Sequence, residues 1–142
     1  MPVNGFTIGR DVSLVVNMPS GIQRFSLITN FDSKPVTSDI KVKGLDGVTR
    51  HGLFHEGWTG SFDIERQDDG VDSFWAQLED DYHAGLDLQA STISETISEA
   101  DGSISSYRYD GVIFKLDDAG AKKGNDTVKQ KLSFLASRRI KV

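Results

Sequence analysis

Residues 58–65 read Trp58-Thr59-Gly60-Ser61-Phe62-Asp63-Ile64-Glu65, and the stretch alternates throughout. A strand sends successive side chains to opposite faces, so Trp58, Phe62 and Ile64 share one face and Thr59, Ser61, Asp63 and Glu65 the other. The first face belongs to a core and the second to water. Outward from this stretch the same alternating, β-branched texture recurs at about Asp11–Asn17, Gln23–Phe31, Ser38–Lys43, Gly57–Arg66, Leu88–Glu99, Ser103–Leu116 and Val128–Ile140. These segments predict a mainly β chain of about seven strands, and 142 residues suit a single domain, 1–142.

One segment has a different period. Between Asp69 and His83, Val71, Phe74, Trp75, Leu78 and Tyr82 recur at offsets of three and four, which predicts one amphipathic helix. Asp69 suits the N-cap, Asp72 suits the positive end of the helix dipole, and Gly85 lies where a terminating glycine is expected. Trp58 and Trp75 read as core anchors that pack helix against sheet. Asp101-Gly102, set between Thr96-Ile97-Ser98-Glu99 and Ile104-Ser105-Ser106-Tyr107, predicts a hairpin whose Ser- and Thr-rich strands form a long polar ribbon.

Residues 32–56 read as an extended loop or a hairpin excursion. Ser33-Lys34-Pro35, Gly44, Asp46-Gly47 and Gly52 punctuate it, and Ile40, Val42, Leu45, Val48, Leu53 and Phe54 are scattered among basic residues. A segment this long without a core of its own needs a burial partner, and a neighbouring subunit is the expected one. Those six residues are therefore the candidate subunit interface.

Charge is distributed unevenly although the net value is only −5. Residues 61–101 hold twelve acids and one base, Arg66, whereas residues 102–142 hold nine bases and four acids. Strands within one subunit can pair these charges, or an acidic edge on one copy can meet a basic edge on the next. An overall acidic chain lacks the basic face that tight phosphate binding requires.

The motifs of catalysis are incomplete. Cysteine is absent, which excludes disulfides, thiolate nucleophiles and cysteine-held zinc. His51-Gly52-Leu53-Phe54-His55-Glu56 has its glutamate after the second histidine, outside the zincin order, and Asp117-Asp118-Ala119-Gly120 lacks calcium-loop spacing. Gly120-Ala121-Lys122-Lys123-Gly124 is not a phosphate loop, and no Gly-x-Ser-x-Gly elbow occurs. The paired acids Asp68-Asp69, Glu79-Asp80-Asp81 and Asp117-Asp118 read as solvated surface. No catalytic, cofactor or metal site is therefore expected. With no run of about 18 apolar residues and no leader-like start, folding in a cytoplasm without membrane insertion is expected.

In order and texture the chain resembles the tail tube proteins of contractile phages, whose fold is shared with type VI secretion tubes. The resemblance is carried by Glu56-Gly57-Trp58-Thr59-Gly60-Ser61-Phe62, the acidic helix leading to Tyr82, and the hairpin Ala100-Asp101-Gly102-Ser103 with Tyr107-Arg108-Tyr109-Asp110-Gly111-Val112. The closing Val128-Lys129-Gln130-Lys131-Leu132-Ser133-Phe134 completes it. It implies a β-sandwich or barrel with one flanking helix, six copies to a ring, and rings stacked into a hollow tube inside a sheath. It also implies tape-measure and baseplate partners, a place in the virion, and a genome that passes without specific binding. Glu95 and Glu99, set against Ile93 and Ile97, are the lumen candidates; Lys41 and Lys43 depart from an acidic lining if they face inward. The competing readings are a type VI-like tube and, from another class, a monomeric β-sandwich ligand-binding module.

Overall fold

A computed structural model describes residues 4–9, 12–18, 21–23, 28–87 and 89–142. Its elements are β1 (Val12–Met18), β2 (Gly21–Gln23), β3 (Ile28–Lys43), β4 (Thr49–Glu65), α1 (Gly70–His83), β5 (Ser91–Ser98), β6 (Ile104–Asp118), β7 (Lys129–Ala136) and β8 (Arg138–Lys141). All neighbours pair antiparallel in the order β2-β1-β5-β6-β7-β4-β3, with β8 added to β6. Among the described residues the chain is mainly β with one helix, as expected. Of the expected strand at Gln23–Phe31, residues 24–27 lie outside the described residues, as do Asp11 and Leu88 at the starts of two others.

Two layers arise because β6 serves both. Its first half pairs with β5 and β8, and its second half, from Ile113, pairs with β7. The turn between the halves falls at Gly111, whose φ of 64° is a conformation that suits glycine. Opposite it, Ser137 divides the expected single strand 128–140 into β7 and β8, and its amide donates to the Asp110 carbonyl at 2.8 Å. A Cβ on Gly111 would sit 2.5 Å from the Ser137 hydroxyl, so the two strands bend together where a side chain has no room.

The core lies between the layers. Tyr109, Phe62, Phe134, Ile64, Ile93, Leu132 and Val112 are fully buried, and Tyr109 of the β6 layer meets Phe134, Trp58 and Phe31 of the other at 5.6, 6.1 and 6.3 Å between ring centres. Each buried large apolar side chain contributes about 1.5–3 kcal/mol. Phe62 and Ile64 occupy the face that alternation assigned them. Gly60 on that face packs where nothing larger fits: a Cβ there would run into the Asp32 carbonyl oxygen and approach the Phe134 ring to 2.7 Å. Gly60→Ala is accordingly expected to cost about 2–3 kcal/mol, read as a fall of about 10 °C in melting temperature.

Helix α1 buries Val71 and Phe74, with Phe74 edge-on to Phe114 at 5.5 Å and Leu78 against the same core. It ends as a Schellman motif: Leu86 N–H donates to the Asp81 carbonyl and Gly85 N–H to that of Tyr82. Two expectations need correction. Tyr82 is exposed, because the final turn runs past the edge of the core. Trp58 packs against Tyr109 and Arg139, and its ring partner is not Trp75, because the helix meets the β6–β7 side of its sheet through Phe114.

Candidate functional site: a hairpin arm and two sheet faces

Residues 32–56 form a β-hairpin. β4 pairs with β7 from Trp58 onward, and a register shift at Val36/Thr37 marks the point beyond which β3 and β4 have only each other. From there seven pairs, Thr37↔His55 to Lys43↔Thr49, extend an arm of about 20 Å at ~3.3 Å per residue. Its tip is built locally. Gly44 N–H donates to the Val48 carbonyl, and the Asp46 carboxylate accepts from the Val48 amide at 3.0 Å and pairs with Arg50 at 2.9 Å. The Arg50 hydrogen bond holds the Asp46 carboxyl below its usual range.

The six candidate interface residues all lie on this arm. Val42, Leu45, Val48, Leu53 and Phe54 are each more than half exposed, while Ile40 is half-buried over Gly52. Register divides them. Ile40, Val42 and Phe54 share one face with Arg50, and Leu53 lies on the other with Lys41, Lys43, His51 and His55.

The lumen candidates part company. Glu95 is 6% exposed and faces the core; its Oε1 lies 3.3 Å from an Arg139 guanidinium nitrogen and 3.5 Å from the Tyr109 hydroxyl. A residue buried within one subunit cannot line a channel between subunits, which removes Glu95 from the lumen. The physical reason is parity. Positions 93, 95 and 97 share one face of β5, so Glu95 follows Ile93 inward, and Arg139 makes that burial tolerable. Glu99 is half-buried and accepts from the Ser105 hydroxyl at 2.8 Å.

Arg139 is the residue that sequence reading missed. It lies over Tyr107 at 3.7 Å and within 4.9 Å of the Trp58 ring centre, while the Tyr109 hydroxyl shares a 2.9 Å hydrogen bond with Ser33 of β3. Burial raises the Tyr109 hydroxyl above the usual tyrosine range. The network thereby ties β3, β4, β5, β6 and β8 together. Nothing local marks it, since Glu95 and Arg139 are far apart in the chain.

The outward face of the β5–β6 ribbon carries Thr92, Ser94, Thr96, Ser98 and Ser106, and its Arg108 pairs with Asp110 at 2.9 Å. Part of the charge asymmetry is neutralised within the chain, where Glu95 of the acidic segment pairs with Arg139 of the basic one; register also sets Asp63 opposite Lys131 and Glu65 opposite Lys129. Among the described residues no group of three His, Asp or Glu could hold a metal. An opening of about 500 Å³ lined by Leu14, Ile28, Phe31 and Glu95 has Glu95, already paired, as its ionisable group.

Two antiparallel layers sharing β6, one flanking helix and a projecting arm define a two-layered antiparallel β-sandwich. No protein-family model matches the chain, and no curated protein sequence does. Solved structures match it well. A chain of the PVC sheath–tube complex of an extracellular contractile injection system has TM-score 0.59 at 11% identity, over 91% of this chain and 87% of its own. A chain from the cap of the anti-feeding prophage, the tube terminating cap, gives 0.64 at 10% over 100% and 94%. The SPP1 tail tube gives 0.59 at 11% over 95% and 78%. The fold is that of contractile-injection-system and phage tail tube proteins.

Proposed function

We propose that this chain, as a single domain, is the inner tube subunit of a contractile phage-type tail, six copies closing a ring and rings stacking into a hollow conduit for a genome. The observation that carries the reading is the arm: a hairpin with five exposed large apolar residues, on a fold otherwise found in tail tubes. Monomers seldom expose such a surface without a partner. The same exposure counts against a monomeric ligand-binding module, in which those residues would be buried. Sheath, tape-measure and baseplate proteins are the further partners, the place is the virion, synthesis is in the host cytoplasm, and the role is structural with no catalysis. Negative-stain microscopy of the purified protein across a concentration series tests this. Rings or channelled tubes are expected, and a monomer at every concentration, with and without a baseplate to nucleate it, would defeat the reading.

A second reading, a secretion or injection tube of the type VI kind that passes protein cargo, draws support from the ribbon. If its outward face lines the lumen, the lining is hydroxyl-rich with its one carboxylate, Asp110, already paired, and not the repulsive acidic wall that keeps DNA phosphates from sticking. Genes next to this one separate the two: capsid and tape-measure genes for a phage, a secretion ATPase and membrane-complex genes for the other.

A further inference from the structure

We propose that the Leu53 face of the arm docks on the C-terminal end of α1 of a second copy, as a charged clasp. The proposal rests on the tube reading, in which copies repeat head to tail.

The donor face has an apolar centre and a cationic rim. Register sets Lys41 opposite His51, Asp39 opposite Leu53, Thr37 opposite His55 and Lys43 opposite Thr49. Leu53 is 53% exposed, and Lys41, Lys43, His51 and His55 around it are all exposed. The described residues give neither lysine an ion pair. Asp39 is the one acid on this face.

The acceptor has the opposite rim. Tyr82 and Leu86 are 68% and 60% exposed, with Glu79, Asp80, Asp81 and Asp87 about them. Glu79, Asp80 and Asp81 lie in the last turns of α1, where the helix dipole is already negative and cations are favoured. Gln77 donates to Asp81 at 2.9 Å, and His83, ring against Tyr82, is the one basic group there. Leu53 and Tyr82 are both open in the same subunit, so neither covers the other. An apolar centre within a rim of one sign facing its counterpart of the other sign is the anatomy of a specific interface. The contact joins two different patches and is heterologous, the kind that closes a ring or runs on along an axis.

Stack formation followed by light scattering and sedimentation tests this. Lys41→Glu with Lys43→Glu should abolish stacking, and adding Glu79→Lys with Asp80→Lys should restore it. These side chains are exposed, and unchanged melting temperatures would show the variants folded. Stacking by the lysine reversal variant overturns the clasp and leaves the tube reading intact. Absence of rings and stacks in the unaltered chain overturns both.

Discussion

Arg139→Ala is expected to destabilise the folded subunit by about 3 kcal/mol, a large fraction of the total stability of a domain this size. The Glu95–Arg139 pair is mostly enclosed, with side-chain exposures of 8% and 24%. Removing the guanidinium leaves the Glu95 carboxylate in the core with the Tyr109 hydroxyl as its remaining close partner. It also removes the cation lying over Tyr107 and Trp58, contacts worth about 0.5–2 kcal/mol each when desolvated. The partial exposure of Arg139 keeps the estimate at the lower end of the range for broken buried pairs. Glu95→Ala should cost about as much, by leaving the cation uncompensated, and the double variant less than the sum, because neither charge is then stranded. Urea unfolding of the four proteins in this cycle measures the coupling. Strict additivity would mean that the two side chains do not act as a pair.

Leu53→Asp and Phe54→Asp, made singly and together, are expected to leave the subunit folded and to raise the concentration needed for assembly at least about a hundredfold. Both side chains are more than half exposed in the subunit, so its stability should change by less than about 0.5 kcal/mol. At an interface each substitution exchanges apolar burial for an unpaired carboxylate, a cost of several kcal/mol. Because the two residues occupy opposite faces of the arm, the single variants report on different contacts. Phe54→Asp reads the face shared with Ile40 and Val42, and Leu53→Asp the face shared with Lys41 and His51. Rings and tubes that form normally in the double variant, seen by negative-stain microscopy, would remove the arm from the assembly.

What the sequence by itself determined was every feature written in a short period. Alternation at 58–65 assigned Phe62 and Ile64 to the core, spacing of three and four located α1 to within a residue, and Asp-Gly marked the β5–β6 turn. Each depends on residues within one or two turns of chain, where backbone geometry alone dictates which side chains share a face. Setting Glu95 outward as the alternation partner of Ile93 contradicts that parity, since positions 93 and 95 share a face, and the structure follows the parity because Arg139 meets Glu95 inside. The tertiary structure decided the partners: that residues 32–56 pair with each other as an arm, that β6 bends at Gly111 to serve two layers, and that Arg139 arrives beside Glu95 from 44 positions away. Such pairings are a property of which strands come to lie together. A buried charge is tolerable only when its counterpart is delivered by another strand, so its burial cannot be read from its own neighbours in sequence.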